Sequence, residues 1–155
     1  MRRPVIGLLV GGLIAGTLDI LYAVVMWLSR GRSPEWVLQS VATGWLGSAA
    51  FDGGAAAATL GLVSHYGISI CAAAVFYLAS RRVAFLRERA VLSGLVFGVC
   101  VYLVMNFVVM PLSSAPFKIK YTASVLAQGF ASHAVLFGVP IALAVRYFSV
   151  RTEAA

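Results

Sequence analysis

Charge is what this sequence has least of. Only 11% of its 155 residues are charged and 61% are hydrophobic, whereas an ordinary soluble domain carries about 25% charged residues. So little polar surface cannot cover a water-facing globule. The shortage excludes a conventional soluble domain and places the chain in the membrane class, as one domain by length. Acid is scarcer than base: five Asp and Glu stand against twelve Lys and Arg, for a net charge of +7. That excess does not imply nucleic-acid binding. The basic residues sit in short clusters between apolar runs, and no basic helix face interleaved with aromatics occurs.

Cysteine and histidine are equally sparse. The two cysteines, Cys71 and Cys100, both lie in apolar runs. They exclude a disulfide framework and read as small apolar side chains. There is no Cys-x-x-Cys-His, no phosphate loop, no zincin motif and no Ser-His-Asp order. Nothing therefore indicates c-type haem attachment, nucleotide chemistry or a soluble-type hydrolase, and a non-enzymatic role is expected. The start, Met-Arg-Arg-Pro before an apolar run, has the look of a signal peptide. The run over 5–28 is too long for a signal core and no Ala-x-Ala follows it, so an uncleaved first span is expected.

What the sequence does have is long apolar stretches, at about 5–28, 54–79, 90–110 and 122–148. At about 1.5 Å per residue each is long enough for the roughly 30 Å hydrocarbon layer. Helices are the only spanning structure open to such a chain, because every backbone group must be satisfied internally. The fold class is therefore all-α: a polytopic four-transmembrane-helix bundle. Arg2, Arg3, Arg81, Arg82, Arg87, Arg89, Arg146 and Arg151 fall on one side, and Arg30, Arg32, Lys118 and Lys120 on the other. Basic residues favour the cytoplasm, so both termini and the middle loop are expected there, in a bacterial inner membrane. Tyr22, Trp27, Trp36, Trp45, Phe117 and Tyr121 suit an aromatic belt on the outer side.

The first outer loop is long. Ser33-Pro34-Glu35 supplies an N-cap, an N1 proline and an acidic first turn, and Gly47 ends the apolar stretch that follows. This predicts a short interfacial helix at about 34–46 that caps the bundle. Asp52-Gly53-Gly54 then breaks the chain, and Pro111 and Pro116 mark a short second outer loop. Pro140 falls inside the fourth span and should kink it below His133.

Glycines recur at four-residue spacing: Gly7/Gly11, Gly12/Gly16 and Gly94/Gly98. Such pairs let helices approach closely in lipid, for packing inside the bundle or for a homodimer. There is also a repeat. Gly7-Leu-Leu-Val-Gly11 matches Gly94-Leu-Val-Phe-Gly98, and a polar residue follows each at the same distance, Asp19 and Asn106. Gly61-Leu-Val-Ser-His65 matches Gly129-Phe-Ala-Ser-His133. The chain thus reads as one hairpin used twice in parallel orientation.

Asp19, His65, Asn106 and His133 each sit inside a span, roughly 20–27 Å from the basic residues at the cytoplasmic end. They therefore fall in one layer near the periplasmic side. Ionisable groups in lipid are costly, so they face the bundle interior and pair with one another. Asp19 is expected to pair with one histidine, supported by Ser64, Gln128 and Ser132. Gly61 and Gly129, four residues before each histidine, would make room for a partner helix, a water or a ligand. The layer could handle a small solute or proton, ligate haem b between His65 and His133, hold a transition metal on both histidines and Asp19, or only lock the register of a structural or assembly subunit.

From about 61 to 148 the chain resembles the YagU-like bacterial inner-membrane proteins, a family of unknown biochemical function. The resemblance is carried by His65, by Gly94-Leu95 with Gly98, by Asn106-Phe-Val-Val-Met-Pro111-Leu112, and by Gly129-x-x-x-His133. It implies the same topology and gives weight to the two histidines, but names no substrate. The first helix and first outer loop show no clear match to it.

Overall fold

A computed structural model describes residues 2–117 and 122–153, with side chains described over 5–117 and 122–149. Lys118, Lys120 and Tyr121 lie outside the described residues, as do the side chains of Arg2, Arg3 and Arg151. Among the described residues the regular structure is all helical, with four helices long and apolar enough to cross a membrane.

In chain order α1 is Arg2–Leu28, α2 is Pro34–Leu46, α3 is Gly54–Arg82 and α4 is the single turn Phe85–Glu88. Next, α5 is Ala90–Leu112. Last, α6 is built from Ala123–Ser132, His133–Gly138 and Val139–Glu153. Helix α2 begins and ends for local reasons. The Ser33 hydroxyl accepts from the Trp36 amide at 3.1 Å, Pro34 fills the first turn, and Gly47 leaves the helix at φ 60°, a conformation costly for a side chain. Thr122 caps α6 in the same way, accepting from the Val125 amide at 3.4 Å.

Two segments are not regular α-helix. Met105–Val109 in α5 and His133–Gly138 in α6 are π turns. Proline explains both. Its ring clashes with the carbonyl four residues earlier and removes a donor. Those carbonyls belong to Phe107 for Pro111 and to Leu136 for Pro140, and each falls inside a π turn. The widened turn relieves the clash without ending the helix. Helix α5 accordingly runs through Pro111 to Leu112 rather than stopping before it, and the strain expected at Pro140 takes the form of this π turn.

Helix α1 packs against both α3 and α6, and α5 packs against α6. Lipid offers no hydrophobic drive for helices to associate, so close backbone contact matters most. The glycines provide it. Cβ atoms at Gly7 and Gly11 would press on Phe148, Ala144 and Ile141 of α6, and at Gly12 and Gly16 on Ile70, Ser69 and Tyr66 of α3. A Cβ at Gly94 would sit 2.8 Å from the Gly138 carbonyl. The paired glycines thus serve three interfaces inside the chain.

The apolar core lies in the half of the bundle that holds the termini, where Ala15, Ala73, Phe76, Ala90, Phe137, Ile141, Ala142 and Val145 form one buried cluster. Phe76 of α3 meets Phe97 of α5 there, with ring centroids 5.1 Å apart. The opposite end is capped. Helix α2 crosses α3 at Gly61, whose missing side chain admits the backbone of Leu38 and Ala42. Beyond it, the Ser114 amide donates to the Gly44 carbonyl at 3.0 Å, joining the two capping loops. Trp27, Trp36, Phe51 and Phe117 cluster at this end, with neighbouring ring centroids 5.0 to 6.5 Å apart.

Candidate functional site

Asp19 lies one turn beyond Gly16 on α1, just past the glycine face that draws α3 inward. His133 opens the π turn of α6. The two meet across the bundle: His133 Nδ1 is 3.9 Å from Asp19 Oδ1. This is too long for a direct hydrogen bond and short enough for charge attraction or one bridging water. The same nitrogen lies 3.3 Å from the Ser132 hydroxyl, which also approaches the Gly129 carbonyl at 3.2 Å. Ser132 therefore adjoins His133.

His65 reaches the layer from α3. Its Nε2 lies 2.8 Å from the Gly16 carbonyl, one turn below Asp19. A carbonyl only accepts, so Nε2 carries the proton in this pose. The His65 carbonyl in turn accepts from the buried Ser69 hydroxyl at 3.0 Å. The layer thus sets His133 against Asp19 and holds His65 on the Gly16 carbonyl, one helical turn away along α1.

Asn106 sits in the π turn of α5, and its amide donates to the Tyr102 carbonyl at 2.9 Å. Tyr102 links it to the site. The buried Tyr102 ring stands edge-on to His133, with centroids 5.1 Å apart at 73°. It also fills the space left by Gly129, where a Cβ would fall 2.7 Å from the Tyr102 hydroxyl. The two glycines before the histidines therefore admit α2 and Tyr102, not a ligand. Gly98 adds a further constraint: a Cβ there would lie 2.6 Å from Ala134 Cα, so α5 presses on the His133 turn.

Two supporting residues fall elsewhere. The Ser64 hydroxyl accepts from the Trp45 indole at 3.0 Å, on the side facing α2, and Gln128 is exposed. Spacing from a histidine gives depth along a helix, but the face depends on which neighbour the helix finds. Sequence reasoning missed Tyr102, Ser69 and the pair Thr17 and Tyr66, whose hydroxyls lie 2.9 Å apart across α1 and α3. Tyr102 had a readable signal, since it precedes Asn106 by one helical turn.

Two features bear on cofactors. Among the described residues no group of three or more His, Cys, Asp or Glu is gathered as a metal site. The His65 nitrogen that would ligate a haem iron faces the Gly16 carbonyl instead. The arrangement suits neither bis-histidine haem ligation nor a two-histidine, one-carboxylate metal centre in this conformation.

Neighbouring helices do not cover the layer completely. The His133 and Asp19 side chains keep 22% and 17% of their surface exposed. A carboxylate with an imidazole beside it and part of its surface unpacked can hold, exchange or pass a proton, or bind a small cationic or hydrogen-bonding solute. Comparisons with known protein families, with curated proteins and with solved structures find no match for this chain.

Proposed function

We propose that this multi-pass protein of the bacterial inner membrane binds or conducts a small solute or a proton at the layer formed by His65, Asp19, His133 and Asn106. The single observation that carries the reading is the open pair, Asp19 Oδ1 at 3.9 Å from His133 Nδ1 with both side chains partly exposed. A carboxylate and an imidazole serving only to lock helices would be closed into a direct hydrogen bond, because an unsatisfied polar group in lipid costs free energy. The π turns at Asn106 and His133 add weight, since such turns gather at functional sites. The excess of arginine at the end holding the termini supports a cytoplasmic placement for that end. The site then opens toward the periplasm under α2. We extend the same reading to the resemblance with the YagU-like proteins and to the duplicated hairpin.

The test is proton flux in liposomes. Purified protein is reconstituted with a pH-sensitive dye inside, and a pH gradient is imposed with a potassium diffusion potential to compensate charge. Wild type should pass protons above empty vesicles, and Asp19→Asn and His133→Gln should each abolish the excess while melting within a few degrees of wild type. Flux unchanged in both variants, together with a large drop in melting temperature, makes the layer structural and overturns the proposal.

A further inference from the structure

Where α2 crosses α3 at Gly61, the two helices leave an open groove of about 390 Å³ to one side. It is lined by Leu38, Ala55, Ala58, Thr59, Leu62 and Glu35. The wall is apolar in effect, because the Thr59 hydroxyl is turned to its own helix and donates to the Ala55 carbonyl at 2.8 Å. Leu62 and Val63 on α3 give the groove exposed apolar surface on that side. Glu35 is the one charged residue of the lining. Its carboxylate accepts from the Gln39 amide at 3.4 Å, and the buried Gln39 also donates to the Gly54 carbonyl at 3.3 Å. That anchor is neutral, and no cation lines the groove itself.

A cation stands one turn away. Arg32 lies three residues before Glu35, on the other side of the Ser33 cap, with its guanidinium 4.8 Å over the Trp36 ring. The start of α2 therefore offers a cation and an anion three residues apart, the anion lining the groove and the cation on the aromatic cluster. Charge complementarity selects a zwitterionic headgroup. Its phosphate would meet Arg32 and its ammonium Glu35, with one acyl chain along Leu38, Ala58 and Leu62. A primary ammonium can donate hydrogen bonds to the carboxylate and a quaternary one cannot.

We propose that the groove between α2 and α3 binds one phospholipid with a primary-amine headgroup, held by Glu35 and Arg32. The site is separate from the Asp19 layer, and its failure would leave the reading of that layer untouched.

The test is native mass spectrometry of the full chain in detergent, with equal amounts of phosphatidylethanolamine, phosphatidylcholine and phosphatidylglycerol of the same acyl chains. Wild type should retain the ethanolamine lipid about fivefold over each of the others, the scale of one charge-assisted hydrogen bond. Glu35→Gln should reduce that preference to less than about twofold. Ala55→Trp, a change at an exposed lining position, should lower retention of all three, with circular dichroism and melting reporting an intact fold. Equal retention of the three lipids by wild type, preference for the anionic lipid, or a preference that survives Glu35→Gln overturns the proposal. So does unchanged retention in folded Ala55→Trp. If that variant does not fold, Glu35→Gln decides the matter.

Discussion

In the half of the bundle that holds the termini, every residue of the apolar cluster from Ala15 to Val145 is 3% exposed or less. One turn further along α1 and just before Phe137 on α6, Asp19 and His133 keep 17% and 22% of their side-chain surface. The first half is drawn together by glycine and alanine, with Gly94 set against Gly138 and Gly11 against Ile141 and Ala144. The second half carries Asp19, His65, Asn106 and His133, the π turn at Asn106, the start of the π turn at His133, and the cap. A membrane helix gains nothing from burying leucine against leucine instead of lipid, so stability concentrates where backbones touch. The base keeps only small hydroxyls such as Ser80 and Ser93 among its buried polar groups, while the other half holds the ionisable ones. The difference teaches that this bundle has a close-packed base and a chemically adaptable layer above it.

The comparison can be broken most forcibly at the base. Gly94→Leu must push α5 off α6, because its Cβ would stand 2.8 Å from the Gly138 carbonyl and 3.0 Å from Ala142 Cβ. A loss of more than about 3 kcal/mol is expected. Size-exclusion chromatography and a melting curve should show little folded monodisperse protein. Phe76→Ala comes next. Phe76 is 2% exposed and contacts Phe97, and the cavity left behind should destabilise by about 2–4 kcal/mol, read as a lowered melting temperature with proton flux retained at permissive temperature.

In the adaptable layer the same measurements should separate. Asp19→Asn is expected to change stability by less than about 1 kcal/mol, since the group is partly exposed and makes no short ion pair, while flux is lost. If it destabilises as much as Phe76→Ala, the two halves do not differ in the way argued. Pro140→Ala should have the smallest effect on melting, within about 1 kcal/mol. By removing the clash with the Leu136 carbonyl it should let the turn His133–Gly138 relax toward α-helix. That change would rotate His133 away from Asp19, and histidine NMR shifts should move although the melting curve does not.

Much of the base was legible in the sequence. Apolar runs located the spans, and glycine spacing located the faces that meet. Ser33, Pro34 and Gly47 marked both ends of α2. The layer was legible as a depth, because residues per turn convert directly to distance from the flanking arginines. Its faces were not. Ser64 and His65 are adjacent in sequence, yet one turns to Trp45 and the other to Gly16. Which of them points inward depends on where α1 and α2 settle, and those positions follow from contacts distant in sequence. The π turns were half legible: Pro111 and Pro140 predict strain in the preceding turn, but whether a helix stops, kinks or widens depends on its neighbours. Gly129 shows the same limit. A missing side chain indicates that something approaches closely, and only the fold identifies it as Tyr102.

The chain contains only two histidines, so one spectrum can test the central claim. Protein labelled with nitrogen-15 histidine in lipid nanodiscs would be titrated across the pH range in which it stays folded, as wild type and as Asp19→Asn. The account predicts that the His133 resonances titrate from the aqueous phase and that their curve moves in Asp19→Asn. A His133 that does not titrate at any pH, with a spectrum indifferent to Asp19→Asn, would contradict it and leave the layer as a structural lock.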